Sequence, residues 1–148
     1  MTRHPFADFL EGIPANALLG LQVEEMGEGV GVVRLPWRDE VGNHVGSVHA
    51  AALFAIADAT SGAAMSSGLG DLMATVTPLA RGGEITYTKV ARGDIVGRSE
   101  LTADDLARIR AELDADGVSR PDVQVEMTDA DGNVVATAVF HWHVKKQP

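Results

Sequence analysis

The sequence predicts an α+β protein in which one antiparallel sheet wraps around a single buried helix. Three observations predict this class. The segment Ala50–Ser66 is apolar on all sides apart from one acidic residue, and a helix of this kind is a buried helix. The flanking segments have the period of two that is typical of strands. A charged segment near the end, 103–115, has the composition of a surface helix.

Before the buried helix, the sequence predicts one short helix and one hairpin. Pro5–Gly12 is the helix, with its aromatic residues on one side. Leu21–Met26 and Val30–Leu35 are the two strands, and the glycines between them suit a tight turn. A charged loop, 36–48, then leads to the buried helix.

After the buried helix we expect five strands, with the charged helix inserted before the last hairpin. Thr102 precedes this helix and is suited to cap it. Glycines at Arg81-Gly82-Gly83 and Arg92-Gly93-Asp94 predict turns between strands. The expected elements are strands Leu72–Thr77, Glu84–Val90 and Ile95–Leu101, helix Ala103–Ala115, and strands Val123–Thr128 and Val134–Val144.

This arrangement predicts one domain spanning 1–148 that associates with itself. One sheet around one helix leaves a strand edge and one face uncovered. We therefore expect a homodimer, and two dimers could associate into a homotetramer.

Composition excludes several classes of function. The net charge of −9 opposes nucleic-acid binding, which requires a basic surface. The absence of cysteine excludes disulfides, thiol nucleophiles and zinc–thiolate sites. The first residues lack a signal-peptide pattern, and the longest apolar stretch, Ala50–Ala57, is far too short for a membrane span. We expect a cytoplasmic protein that does not engage membranes.

Asp58 is the residue that most needs an explanation. It lies in the middle of the apolar helix, where an ionised carboxylate costs several kcal/mol unless it has a partner. A structural role, bonded to a nearby hydroxyl or backbone group, is one interpretation. The other is a carboxylate kept in a dry site for base or nucleophile chemistry.

The start of the same helix offers a second candidate site. The first N–H groups of a helix have no internal acceptors, and together with the helix dipole they favour a developing oxyanion. Ser47 or His49 could also simply cap the helix. Asn43, just upstream, could hold a water or a carbonyl, or serve only as a turn residue.

These residues resemble the phenylacetyl-CoA thioesterase type of hotdog-fold proteins. The shared pattern is an Asn, a His-Gly-Gly helix start six residues later, and an acid nine residues further; here it is Asn43, His49-Ala50-Ala51 and Asp58. The stretch Ile85–Leu101 and the last hairpin are also similar, so that the resemblance spans 19–144. The Val-His-Ala opening and the charged insert most resemble a branch known largely as a domain of unknown function.

The resemblance implies hydrolysis of an acyl-CoA thioester, with a small, aryl or medium-chain acyl group, at a dimer interface without cofactor. It implies a catalytic set of Asp58, Asn43, His49 and Ala50, in which Asp58 is base or nucleophile and the Ala50 N–H binds the oxyanion. Asn43 would position water or the thioester, and the acid and the oxyanion donor would come from opposite subunits.

The sequence departs from this family at two points. Ala50 and Ala51 replace the Gly pair. The helper hydroxyl found near 79–81 in the family is missing, and Thr77 is the nearest substitute. The residues expected to contact substrate are Thr77, Arg81 and Gly82.

Two alternatives to hydrolysis stay open, and two are set aside. A non-catalytic acyl-thioester binder and a hotdog hydratase or dehydratase use the same fold. A metal site is not expected, because the histidine pairs His44/His49 and His141/His143 lack a third ligand. A serine hydrolase is not expected, because Ser47 and Ser61 have no evident base.

Overall fold

A computed structural model describes residues 2–148 of the chain, and the elements follow the predicted order with two additions. The additions are a second N-terminal helix and a two-residue strand after the charged helix. The elements are α1 (Pro5–Gly12), α2 (Pro14–Leu19), β1 (Gln22–Gly27), β2 (Val30–Leu35), α3 (Ala50–Leu69), β3 (Val76–Tyr87), β4 (Ile95–Glu100), α4 (Ala103–Asp116), β5 (Val118–Ser119), β6 (Asp122–Thr128) and β7 (Val134–Lys146).

All described strand pairs are antiparallel, and the strand order across the sheet is β1-β2-β4-β6-β7-β3. The short β5 pairs separately with the end of β7. Helix α3 packs on one face of this sheet against five of its strands. The expected α+β arrangement, with one sheet around one buried helix, is confirmed.

Glycines let α3 lie unusually close to the sheet. A Cβ at Gly31 of β2 would be 2.6 Å from the Ala64 nitrogen of α3 and 2.8 Å from the Thr60 carbonyl oxygen. A Cβ at Gly97 of β4 would be 2.4 Å from the Thr60 hydroxyl oxygen. Any larger residue at these two positions would push the helix away from the sheet.

The predicted caps and turns are present at both hairpin and surface helix. The β1–β2 turn has positive φ at Glu28 and Gly29, the conformation that a two-residue hairpin requires. Thr102 caps α4 in a reciprocal pair of bonds with Asp105, and α4 ends at Gly117 in the left-handed conformation.

Two predicted strands were wrong. The segment Gly70–Thr75 is a 3₁₀ turn, so that the strand expected over Leu72–Thr77 begins only at Val76. The strand then runs without a turn to Tyr87, where the strand expected over Glu84–Val90 ends early. Arg81-Gly82-Gly83 is therefore not a turn, and the strand absorbs Arg81 as a bulge opposite β7.

Close packing of aromatic rings explains the second of these glycines, Gly83, whereas a Cβ at Gly82 would make only an ordinary 3.5 Å contact with His141. Neither Gly82 nor Gly83 has a positive φ. A Cβ at Gly83 would lie 3.0 Å from the Phe140 ring and 3.1 Å from the Phe54 ring. The two rings meet at a centroid distance of 5.0 Å. Gly83 thus makes room for a pair of rings. In a sequence, a glycine required for such packing cannot be distinguished from a glycine required for a turn.

The two edges of the sheet differ. At β1, Arg3 donates to the Val23 carbonyl and Glu11 accepts from the Val23 N–H, both at 3.3 Å, so that residues of the α1 region occupy this edge. At β3, none of the described elements pairs with the outer edge over 12 residues. Leu79, on β3, is 62% exposed. A long strand edge of this kind is a surface for pairing with another chain.

Candidate functional site

One face of α3 near its start is open, and Asp58 lies at its inner end. From Ala59 to Leu69 every residue of the helix is buried. Before that point Ala51 and Phe54 are exposed, and Ala55 and Asp58 are half-buried. The spacing of three and four residues places these side chains on one face of the helix.

The Asp58 carboxylate has no hydrogen-bond or ion-pair partner among residues 2–148. Only its backbone carbonyl is used, as the acceptor of a 2.8 Å bond from the Ser61 hydroxyl. Burial raises the pKa of Asp58, because desolvation disfavours the charged form. The structural interpretation, in which a neighbour bonds this carboxylate, is therefore not what the structure shows.

At the start of α3, a single amide is left without an acceptor. His49 is the N-cap, and its Nδ1 accepts from the Ala51 N–H at 2.9 Å. The N–H groups of Ala52 and Leu53 donate to the His49 carbonyl at 3.0 and 3.1 Å. Within the described chain the Ala50 N–H has no acceptor, and Ala50 is exposed. The helix dipole adds positive potential at this position.

His49 is occupied by this capping bond. A ring nitrogen that accepts a backbone N–H carries no proton, so that Nδ1 is the unprotonated nitrogen in this arrangement. The ring is exposed at the helix start.

Asn43 builds the loop that precedes the helix. Its Oδ1 accepts from the N–H groups of Val45 and Ser47, at 3.1 and 3.0 Å. Its Nδ2 donates to the Ser47 hydroxyl at 2.8 Å and to the Val48 carbonyl at 3.4 Å. Both ends of the amide are engaged within the loop, and Asn43 therefore fixes the path of the backbone toward His49.

A groove of about 380 Å³ runs along this helix start. Asn43 and Ala50 line one side of it, and the end of β3 with the following loop lines the other. Tyr87, the last residue of β3, donates its hydroxyl to the Ala50 carbonyl at 3.1 Å. This bond ties the first turn of α3 to the sheet. No feature of the sequence singled out Tyr87, because its partner is a backbone group 37 residues away.

Asp58 and Ala50 of one chain cannot act on the same carbonyl. Eight residues separate them along α3, which is about 12 Å at a rise of 1.5 Å per residue. One chain therefore contains both the carboxylate and the free N–H of the predicted site, but the two groups are too far apart to act together.

The three residues expected to contact substrate lie along β3 at different places. Thr77, at the start of β3, lines an apolar cavity together with α1 and α3. Arg81 lies on the bulge, with its guanidinium 3.9 Å from Asp122. Gly82 lies opposite His141 on β7. Within one chain, none of the three contacts the Asp58 carboxylate.

The remaining polar candidates have structural partners. Ser47 is buried and bonded to Asn43, and Ser61 accepts from the Trp142 indole at 3.0 Å. His141 pairs with Asp122 at 2.6 Å. Residues 2–148 contain no group of three or more His, Asp or Glu placed to hold a metal ion. No described helix combines the length and hydropathy needed to cross a membrane.

Comparison with known proteins places the chain among relatives of the same fold. A family model described as a domain of unknown function, DUF4442, matches residues 9–144. No curated protein sequence matches the chain. The architecture of the solved structures below is the hotdog fold, and the chain shares it, as the resemblance predicted.

Two solved structures illustrate the likeness. A protein of unknown function from Pseudomonas aeruginosa, described as a probable thioesterase, is 25% identical with a TM-score of 0.85, over 95% of this chain and 93% of that chain. The Escherichia coli PaaI protein, from the phenylacetic acid degradation operon, is 15% identical with a TM-score of 0.70, over 95% of this chain and 89% of that chain.

Proposed function

The chain belongs to the DUF4442 family, and we propose that it hydrolyses acyl-CoA thioesters at a site shared between two copies of the chain. The observation that carries this proposal is the free Ala50 N–H at the start of α3, combined with an unpaired carboxylate at Asp58. An amide at a helix start stabilises a developing oxyanion, and a desolvated carboxylate is a strong base or nucleophile. The probable-thioesterase description of the Pseudomonas aeruginosa protein agrees with this chemistry.

Two copies are required because of the separation between these groups. The distance of about 12 Å along one helix prevents a single chain from completing the site. The outer edge of β3 has no paired strand within the described chain, and we propose that a second copy joins there. Exposed apolar side chains follow this edge and the adjacent face of α3, and they are Phe54, Leu79 and Tyr87. Pairing two β3 edges antiparallel would bury them and bring each Asp58 toward the helix start of the other copy.

Hydrolysis of the thioester then requires two protein groups, the Asp58 carboxylate and the Ala50 N–H. Asp58 takes a proton from a water that attacks the thioester carbonyl, or attacks that carbonyl itself. The negative charge that develops on the carbonyl oxygen is stabilised by the Ala50 N–H of the second copy. Collapse of the tetrahedral intermediate breaks the C–S bond and releases the thiolate of coenzyme A. If Asp58 attacks first, water then hydrolyses the acyl-enzyme anhydride. In both routes, ionised Asp58 is the active form.

The substitution Ala50→Pro tests the oxyanion role directly. Ala50 is the first helical residue, where proline is favoured because the missing N–H would have no helical partner. His49, at φ −63° and ψ 140°, already has the conformation required before proline. The substitution therefore removes the proposed donor and leaves the helix. We expect free-thiol release from acyl-CoAs to fall about 100-fold or more.

Two further variants complete the experiment. Ala50→Ser keeps the amide and is the matched control, for which we expect near-normal turnover. Asp58→Asn should abolish thiol release while the dimer persists. Wild-type protein that releases no thiol from any acyl-CoA, yet binds one, would be a non-catalytic binder. A substrate returned with an altered acyl chain would identify a hydratase or dehydratase.

A further inference from the structure

A second cavity, separate from the groove at the helix start, lies between α1, the middle of α3 and the beginning of β3. Its volume is about 430 Å³, within the range of small-molecule sites. The lining is mostly apolar and includes Phe6, Phe9, Met65, Met73 and Trp142.

No charged side chain lines this cavity. Of its polar side chains, Gln147 donates to the Val76 carbonyl at 3.2 Å and to the Thr77 hydroxyl at 3.4 Å, so that these two groups satisfy each other. Such a lining suits an uncharged, apolar occupant and disfavours a carboxylated one.

The cavity continues the face of α3 on which Asp58 lies. Gly62 and Met65 line it, four and seven residues after Asp58, and these spacings keep a helical face. The axial rise places Gly62 about 6 Å beyond Asp58, and Ser66, which also lines the cavity, about 12 Å beyond it. A thioester carbonyl held at Asp58 would therefore direct its acyl chain into this space.

We propose that this cavity binds the acyl chain of the substrate, that the chain is a straight aliphatic group of medium length, and that Gly62 and Phe9 set its length. This inference rests on the proposed thioester hydrolysis. Because C–C bonds of about 1.5 Å zigzag, an extended alkyl chain advances about 1.3 Å per bond, and roughly nine or ten carbons span the distance to Ser66. A single aromatic ring is about 6 Å across and would fill only part of this length, whereas an extended aliphatic chain fills it. Met65 and Met73 have flexible unbranched side chains that can adapt to such a chain.

Gly62 is a position at which one carbon can be added to the cavity wall without a clash. A Cβ there would lie 3.7 and 3.8 Å from the Trp142 ring, an ordinary van der Waals distance. In Gly62→Ala the added methyl group narrows the part of the cavity nearest Asp58. We expect the ratio of kcat/KM for octanoyl-CoA to that for acetyl-CoA to fall at least tenfold.

Phe9 tests the opposite wall. Its ring is 60% exposed and stacks near Phe6 at a centroid distance of 4.6 Å. Phe9→Ala removes apolar surface that would contact the acyl chain. It should therefore lower the octanoyl-to-acetyl ratio of kcat/KM as well. Leu18→Ala is the matched control, since Leu18 is 75% exposed on the neighbouring α2 and does not line the cavity. This control should leave the ratio unchanged.

A binding measurement separates this inference from the hydrolysis on which it rests. Trp142 lines the cavity, and Trp37, the other tryptophan, is replaced in Trp37→Phe so that the fluorescence reports on Trp142. The probes are S-octyl-coenzyme A and S-ethyl-coenzyme A, which are thioethers and cannot be hydrolysed. We expect the octyl probe to change the emission of Trp142 and to bind more tightly than the ethyl probe, by about fourfold for each buried methylene.

The outcomes distinguish the two proposals. An octyl response without thiol release from any acyl-CoA would refute the hydrolysis and support the cavity. Thiol release with equal responses to the two probes, or an unchanged octanoyl-to-acetyl ratio in Gly62→Ala, would overturn the assignment of the cavity and leave the hydrolysis standing. A preference for benzoyl-CoA over octanoyl-CoA would overturn the assignment of a straight chain.

Discussion

Replacing Asp58 by asparagine should make the protein more stable at neutral pH. The Asp58 carboxylate is half-buried and has no partner within the described chain. Folding therefore removes water from this charge, and no hydrogen bond or ion pair offsets the cost. Asparagine has nearly the same shape and no charge. The substitution therefore relieves a cost that the native sequence carries at this position, which is expected where a residue is retained for function.

The size of the effect follows from the environment of the side chain. Burying an unpaired neutral amide costs about 1–3 kcal/mol in proteins, and burying an unpaired charge costs more, so that the substitution relieves only the difference between the two costs. The partial exposure of Asp58 keeps that difference small. We expect Asp58→Asn to raise the free energy of unfolding by about 1 kcal/mol, or the Tm by about 3 °C for a chain of this size. A second copy packed over this face would bury Asp58 further and enlarge the gain.

The pH dependence has a definite sign. Because burial raises the pKa of Asp58 above its ordinary value of 3.8, the folded chain binds this proton more tightly than the unfolded chain. Stability from this group is complete below the unfolded-state pKa and is lost as the pH rises through the folded-state pKa. Asparagine does not titrate, so that its advantage should be largest above the folded-state pKa and should shrink on acidification toward pH 3.8.

Thermal unfolding followed by circular dichroism, from pH 4 to pH 8, measures this difference. The matched control is Asp131→Asn, which removes an exposed aspartate from the last hairpin turn. We expect the control to change the Tm little at any pH. An Asp58→Asn protein that is less stable than wild type at pH 7, or whose advantage persists undiminished at pH 4, would refute the reasoning.

Two other substitutions test the packing and the assembly. Gly31→Ala should lower the free energy of unfolding by about 1–3 kcal/mol in urea, because its Cβ would meet the backbone of α3. Gly12→Ala, where a Cβ meets nothing, should not, and equal effects of the two would contradict the close packing. Leu79→Lys should shift sedimentation from dimer to monomer, because it places a charge on the open β3 edge. A monomeric wild-type protein would contradict this edge as the interface.

The sequence predicts most of the fold because its strongest patterns are local. The apolar segment from Ala50 and the capped, charged segment after Thr102 identified α3 and α4 within a few residues of their ends. The failures lie at Gly82 and Gly83. A glycine is needed equally by a turn and by a backbone that passes close to a ring, and only the position of the Phe54 and Phe140 side chains separates these cases.

The site residues named from the sequence stay predictions, and the hydrogen bonds around them could not be predicted at all. The spacing predicts roles for Asp58 and Ala50, and within the described chain the Asp58 carboxylate and the Ala50 N–H have no hydrogen-bond partner. The sequence could not show that the Asn43 side chain forms its hydrogen bonds within its own loop. Nor could it show that Tyr87 donates a hydrogen bond to the Ala50 carbonyl. Such bonds link residues whose chemistry is common on any surface, and the backbone path decides whether they meet.

The blocked edge at β1 has a consequence for how far assembly can proceed. Two copies joined at β3 would form one continuous sheet whose two ends are both β1. At each of these ends, Arg3 and Glu11 would occupy the backbone groups of Val23 and so interrupt the row of groups that a third copy would pair with. In such a pair, the N-terminal segment would hinder further edge-to-edge growth of the sheet. If two copies pair through β3, removal of the first 12 residues should let further copies add at the β1 edges.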